Sequence, residues 1–282
     1  MKKNIALLLG LVLGLGFVSC SSDDDDDESV NGEGKYLAER LTTRYDWKDG
    51  KRSDKGEIYY IIKYNEKGQS VSAEYPSESY KSEYVYDDEG RQIEWNVTRN
   101  NILEKFRFEY ESNGNISVSY RYSSDGRLLE TVKSEYDDKR RLVKETTIYG
   151  SPESNSGRVF TYSYGENTET RTYTNLKDGS LIWQDVEEND SHNNTTKNVR
   201  TLANGDKILI ENTYEYDSKG RLCKIVGPIV SAEEGVNTSG LAHTKYLELS
   251  FNDDGRLEKE HISIPADNEE YDLEYTYKYK KK

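Results

Sequence analysis

Residues 84–91 read Tyr-Val-Tyr-Asp-Asp-Glu-Gly-Arg, and residues 214–222 read Tyr-Glu-Tyr-Asp-Ser-Lys-Gly-Arg-Leu. Two further copies are Tyr120-Arg-Tyr-Ser-Ser-Asp-Gly-Arg127-Leu128 and Leu249-Ser-Phe-Asn-Asp-Asp-Gly-Arg256-Leu257, and looser ones occupy 62–68, 108–114 and 135–142. Each part of the motif has a physical job. The alternation aromatic-x-aromatic has the period of two of a half-buried strand. Asp or Asn at the next position suits the start of a type I turn, where its side chain accepts from a backbone N–H two residues on. Glycine three residues later supplies the left-handed backbone that follows such a turn in a three-residue hairpin loop. In this register Asp217 faces Arg221 and Tyr216 faces Leu222 across the hairpin. The motif predicts turn type, register and buried face together.

The same parity places Phe106, Phe108 and Tyr110 on one face. Carried through the turns, it continues that face with Ile116, Val118, Tyr120 and Tyr122, then with Leu128, Val132 and Tyr136. Gly114, Gly126 and Arg140, which takes a glycine slot, lie too close together for a helix to fit between them. Successive strands are therefore expected to be antiparallel neighbours. Asn204-Gly205 is a separate hairpin signal that pairs Thr201 with Ile208 and Val199 with Ile210. Longer interruptions are expected at 150–157, 185–197, 227–240 and 265–270. The expectation is an all-β fold of about eighteen strands, from near Leu37 to near Tyr279. They form a long antiparallel meander of hairpins whose sheet is open and curved, or barrel-like.

The repeated unit resembles the YD repeats of RHS-type bacterial surface proteins, over roughly residues 58–260. Large members of that family wrap long arrays into a hollow β-shell around a toxin. Here the copies are too few for that, so the resemblance implies the sheet-building unit and an envelope setting, not the toxin role.

Lys2 and Lys3 precede an apolar run over 5–18. That run is shorter than the ~20 residues a membrane-spanning helix needs and has the pattern of a secretory signal. It ends at Ser19-Cys20, which resembles a bacterial lipoprotein box, with Phe17 where the family prefers Leu. The resemblance implies that 1–19 are removed and that Cys20 is acylated, joining the protein to the membrane. Ser21, Ser22, Asp23, Asp24, Asp25, Asp26, Asp27 and Glu28 follow. Consecutive acids repel and bury nothing, so 20–35 reads as a solvated tether. It resembles the acidic export tag of Bacteroidota lipoproteins, which implies an outer-membrane, surface-facing location. Residues 36–282 form a single domain.

The chain of 282 residues carries a formal charge of −14, which disfavours nucleic acid and anionic membrane surfaces as partners. Hydrophobic residues are only 33%, with 24 Tyr, so amphipathic tyrosine faces must replace an aliphatic core. Lys278, Lys280, Lys281 and Lys282 read as a solvated tail. His192, His243 and His261 lack partners at ligand spacing, and Cys223 reads as a small packing residue. Nucleophile elbow, phosphate loop and dinucleotide fingerprint are missing, so no cofactor, no metal and no enzymatic activity are expected. Trp95, Trp183 and Trp47 are the candidate ligand-stacking residues, with Trp95 placed on the face opposite Tyr86. The functional reading is a cell-surface, lipid-anchored β-repeat module for binding or scaffolding, with a protein or polysaccharide ligand. The alternative is a surface glycan-binding accessory protein. A hydrolase built on a carboxylate pair ranks third.

Overall fold

The computed structural model describes residues 30–31, 34–232 and 242–281. The signal segment, Cys20, the run Ser21 to Asp27, part of the expected 227–240 interruption and Lys282 lie outside the described residues. Eighteen strands follow one another with little between them. The first six are β1 (Lys35–Lys48), β2 (Glu57–Tyr64), β3 (Ser70–Tyr75), β4 (Tyr80–Tyr86), β5 (Gln92–Arg99) and β6 (Ile102–Tyr110). Then come β7 (Ile116–Tyr122), β8 (Leu128–Tyr136), β9 (Leu142–Tyr149), β10 (Gly157–Tyr164), β11 (Thr168–Asn175) and β12 (Leu181–Asn189). The last six are β13 (Thr195–Leu202), β14 (Lys207–Tyr216), β15 (Leu222–Ala232), β16 (Lys245–Phe251), β17 (Leu257–Ile264) and β18 (Glu269–Lys281). Two-residue pieces at Val30–Asn31 and Lys51–Arg52 pair antiparallel with β1 at its two ends.

Every strand pairs antiparallel with the next, and β1 pairs with both β2 and β18. The meander therefore closes into an eighteen-stranded barrel. The final lysines are not a loose tail: Lys278, Lys280 and Lys281 belong to the strand that closes it, because pairing satisfies their backbone groups better than solvent at an open edge. At ~4.8 Å between strands and ~40° of tilt, eighteen strands enclose a backbone diameter on the order of 35 Å. Side chains from facing walls cannot bridge that distance. Among the described residues, the ring contacts and side-chain hydrogen bonds join neighbouring or next-neighbouring strands. The barrel is hollow.

The repeat turns form as their chemistry predicts. Asp217 N–H donates to the Arg221 carbonyl, Gly220 N–H donates to the Asp217 carbonyl, and Gly220 has φ +76°. Asp217 Oδ1 also accepts from the Lys219 N–H at 2.8 Å, and Tyr216 pairs with Leu222. The same turn recurs at 65–68, 87–90, 111–114, 123–126 and 252–255, and with Arg140 (φ +62°) in the glycine slot. It also appears at 190–193, with Asn193 left-handed. The expected long interruption at 185–197 is thus strand, a tight turn and strand again. At 265–270 the chain needs just a short 3-10 turn, Pro265–Asp267, before the left-handed Asn268.

What the alternation did not carry is the bulge beside most repeat turns. Val85 pairs with Glu94 and Tyr86 with Gln92, so Ile93 is an extra residue that reverses the parity of β5. Trp95 accordingly lies beside Tyr84, on the same face as Tyr86 and not opposite it. A bulge at Tyr110/Ile116 likewise puts Tyr120 and Tyr122 opposite Arg107 and Lys105, away from Phe106 and Phe108. At Asn204-Gly205 the turn is the three-residue kind, since Leu202 N–H donates to the Asp206 carbonyl. The register moves by one, pairing Arg200 with Ile208 and Asn198 with Ile210.

Followed through these bulges, one face runs continuously around the barrel. It carries Tyr60, Tyr84, Trp95, Phe106, Tyr162, Trp183, Tyr214 and Tyr275, and most of the buried side chains, including Ile62, Ala73, Ser82, Asp185, Ile208 and Ile262. The other face carries cross-strand pairs such as Lys144–Glu135, Lys197–Glu188 and Lys224–Glu215. The register drifts steadily toward one end of the barrel as the chain proceeds. With right-handed coiling of L-residue strands, that drift turns the tyrosine face inward. The lumen carries most of the rings together with arginine–carboxylate pairs, and the outer wall carries lysine–glutamate pairs.

The turns at 65–68, 87–90, 111–114, 137–140, 190–193, 217–220 and 252–255 share one rim, the first rim. There three of the repeats couple their hairpin to the next through an arginine and a tyrosine. The Arg91 guanidinium sits 5.1 Å from the Tyr110 ring, and Tyr110 OH donates to the Gln92 carbonyl at 2.6 Å. Arg141, Tyr164 and the Leu142 carbonyl repeat this, as do Arg256, Tyr277 and the Leu257 carbonyl. One cation–π contact and one net hydrogen bond are worth together ~1.5–2 kcal/mol per hairpin junction. Because Arg140 holds a backbone conformation that suits glycine, Arg140→Gly is expected to stabilise the barrel by ~1 kcal/mol, read as a raised urea midpoint. A lowered midpoint would mean that the Arg140 side chain makes a compensating contact.

Candidate functional site: the luminal wall

The largest concentration of aromatic and ionic groups lies on the luminal face of β9 to β13. Phe160 and Tyr173 are directly paired, with parallel rings 4.6 Å apart, and Trp183 leans against both at 5.9 and 5.3 Å. The Arg200 guanidinium lies 4.3 Å from the Trp183 ring and is bound through Nε and Nη2 to the two oxygens of Asp185, at 2.8 and 2.7 Å. Asp185 is fully buried. Strand pairing makes this cluster: Asp185 is opposite Arg200 on β13 and Arg171 on β11.

Next along the same face, Glu169 is paired with Glu187, and Arg171 lies 3.5 Å from both carboxylates. Glu187 accepts from Asn198 Nδ2 at 3.1 Å. Burial raises its carboxyl above the usual range, against the pull of Arg171. Tyr162 OH donates to Glu145 at 2.7 Å, and burial together with that carboxylate pushes the phenol up. These groups are held by one another, so the wall is a preorganised lattice of paired charges and rings.

The three tryptophans are not brought together, and none is exposed. Trp95 is sandwiched between Tyr84 at 6.4 Å and Phe106 at 4.7 Å, and its Nε1–H donates to Ser82 Oγ at 3.0 Å. Trp183 stands in the lattice just described. Trp47 is on the outer wall, edge-on to His261 at 5.5 Å. Trp95 and Trp183 thus have neighbours against their ring faces, while the ring contact of Trp47 is an edge contact.

Trp47 and Arg52 cover a second cluster that sequence spacing did not reveal. Asp272, fully buried, lies 2.8 Å from His261 Nδ1, 2.8 Å from Lys259 Nζ and 2.9 Å from Arg52 Nε. Burial works to raise the Asp272 pKa, but hydrogen bonds from Lys259 and His261 outweigh it and hold the carboxyl below its usual range. Direct cross-strand pairing of His261 with Asp272 creates the contact, and residues eleven apart carry no spacing signal for it. Cys223 is the extra residue of a bulge, its Sγ donating to the Glu215 carbonyl at 3.3 Å. Among the described residues no group of three His, Cys, Asp or Glu could hold a metal ion.

Asp185→Ala would leave Arg200 unpaired on a half-buried wall. The expected loss is ~2–3 kcal/mol, against less than ~0.5 kcal/mol for Lys144→Ala in an exposed pair. Urea unfolding of both variants checks this, and equal losses would contradict the inward placement of the Asp185 face.

No protein-family model matches the chain, and no curated protein matches it. Among solved structures it is similar to a porin-like protein from Bacteroides uniformis, at a TM-score of 0.43 and 9% identity, over 86% of this chain and 96% of that one. A porin-like protein from Bacteroides vulgatus matches at 0.34 and 11%, over 84% and 98%. A chain of the TcdB2-TccC3-Cdc42 complex matches at 0.29 and 12%, and there 83% of this chain covers 14% of the other. These are likenesses of strand path alone, and the protein is described by its own pairing as a closed, eighteen-stranded, all-antiparallel barrel.

Proposed function

We propose that this chain is an exported lipoprotein, acylated at Cys20 and held at the cell surface by the tether that begins Ser21-Ser22-Asp23. Its barrel, built from YD-type hairpins, serves there as a non-catalytic binding or scaffold module of the envelope. The observation that carries this reading is the outer wall. A barrel that spans a membrane needs an apolar outward band ~25 Å tall. Here the outward face carries Lys63, Lys81, Glu83, Lys105, Arg107, Lys133, Glu135, Lys144, Glu188, Lys197, Glu215 and Lys224. Placing that wall in hydrocarbon costs ~2–4 kcal/mol for each basic residue at mid-depth. A protein with this wall sits beside the bilayer, and an acyl chain is the means its sequence offers for staying there.

The module reading is also supported by the lumen, where paired ions and rings form a fixed surface on rigid strands. For the glycan alternative, Trp95 is sandwiched between Tyr84 and Phe106 and Trp183 lies under Arg200, which leaves Trp47 as the tryptophan with the fewest ring neighbours. Cys20→Ala is expected to move the protein from the membrane pellet to the soluble fraction and to abolish acyl-chain incorporation, with the barrel still folded. Membrane retention without acyl incorporation in the unaltered chain would overturn the anchor.

A further inference from the structure

Where β1 closes the barrel, the luminal wall holds a cation that it does not pair. Arg40 on β1 lies opposite Ile62 on β2 and Tyr277 on β18. Two residues on, the buried Thr42 lies opposite Tyr60 and Tyr275. Arg44, Arg121, Arg171 and Arg200 each have a carboxylate within 3.5 Å. Arg40 has none. Among the described residues it makes no hydrogen bond and no ion pair, and its Nε is shut away from solvent without a partner. Its guanidinium lies 5.5 Å from the Tyr275 ring. Arg158 also lacks a carboxylate and lies 5.8 and 5.7 Å from the rings of Tyr149 and Phe160. What sets Arg40 apart is the set of hydroxyls around it.

Four phenols face the Arg40 charge. Burial above all raises the pKa of Tyr60, Tyr64, Tyr275 and Tyr277, and the Arg40 guanidinium pulls each of them back. Tyr275 OH donates to Glu260 at 2.7 Å, and Tyr277 OH donates to the Leu257 carbonyl at 2.7 Å. Glu260 is thus engaged by Tyr275 and forms no ion pair with Arg40. The Tyr60 ring packs on Tyr75 at 4.3 Å, and its hydroxyl has no partner among the described residues.

We infer that Arg40 and Tyr60 bind the carboxylate of an acidic sugar in the lumen; the inference deepens the binding-module reading above and rests on it. A guanidinium offers parallel N–H donors that match the two oxygens of a carboxylate, and the Tyr60 hydroxyl adds a further donor. One cation without a counter-charge suits one negative charge, which favours a carboxylate over a phosphate monoester of about −1.5 to −2. A sugar fits better than a peptide. An extended peptide gains affinity from backbone bonds at a free sheet edge, and a closed barrel offers no such edge. Side chains alone remain, and tyrosine rings and hydroxyls suit the C–H faces and hydroxyls of a saccharide. The overall charge of −14 does not oppose this, because charges more than ~8 Å away are largely screened at physiological salt.

The test uses the full chain with Cys20→Ser, which omits the acyl group and leaves the barrel intact. Sodium glucuronate, glucose and sodium acetate are titrated separately by isothermal calorimetry. The expected result is saturable glucuronate binding at least tenfold tighter than that of glucose or acetate. Arg40→Gln should weaken it at least tenfold and Tyr60→Phe severalfold, while Lys144→Ala on the outer wall should leave it unchanged. Because Arg40 pairs with nothing in the wall, Arg40→Gln should keep the urea midpoint of its parent, unlike Asp185→Ala. Three binding results overturn the inference: no glucuronate binding, acetate binding as tightly as glucuronate, or binding indifferent to Arg40→Gln. A urea midpoint for Arg40→Gln as low as that of Asp185→Ala also overturns it, since Arg40 would then be structural. Each of these leaves the anchored-module reading to the acylation test of Cys20, which is decided separately.

Discussion

The pairing of β1 with β18 is the constraint on which the rest of this molecule depends. It is the longest ladder in the barrel, running from Lys35 opposite Lys281 to Asp46 opposite Tyr271. A hollow sheet has no interior to bury, so it cannot rely on a packed core to hold distant strands in place. Its stability comes from ladders between neighbours and from side chains that reach across one strand. Without the closing pair, two long edges would expose unpaired N–H and C=O groups, and the curvature that makes one face concave would have nothing to maintain it.

Closure also explains how the side chains are divided. Luminal cations are mostly arginines, as at Arg40, Arg44, Arg121, Arg158, Arg171 and Arg200, while strand cations on the outer wall are mostly lysines. On the crowded concave side a planar guanidinium can bind a carboxylate through two nitrogens and lie over a ring at once, as Arg200 does with Asp185 and Trp183. On the convex side the strands diverge and remain wet, and a flexible ammonium paired with glutamate suffices. The tyrosines suit the inner face for a related reason. Their rings fill width, and hydroxyls such as those of Tyr110, Tyr164 and Tyr277 reach backbone carbonyls of the adjacent hairpin.

Most of this architecture was legible in the sequence, because Tyr-x-Tyr-Asp-x-x-Gly-Arg encodes a strand, a turn and a return strand locally. The turn type at Asp217–Arg221, the pairing of Tyr216 with Leu222 and the number of strands all follow from short-range chemistry. The bulges were not legible. Ile93 looks like any apolar strand residue, yet as the extra residue it carries Trp95 to the lumen. Closure was not legible either, since whether β1 meets β18 depends on accumulated twist and drift over the whole meander. The luminal lattice was hidden for both reasons. Asp185, Glu187 and Arg200 alternate at strand spacing, but the acids and amides between them read as a loop, and Asn193 in place of glycine concealed the turn that pairs them.

Residue-resolved amide hydrogen exchange across β1 and β18 tests the closed barrel most directly. Closure requires every amide from Glu39 to Arg44, and from Tyr271 to Glu274, to be hydrogen-bonded to one neighbour or the other. The account predicts uninterrupted protection in both segments, comparable with that of β9 and β13 on the far side. Alternating fast and slow amides along either strand, the pattern of a free sheet edge, would contradict it.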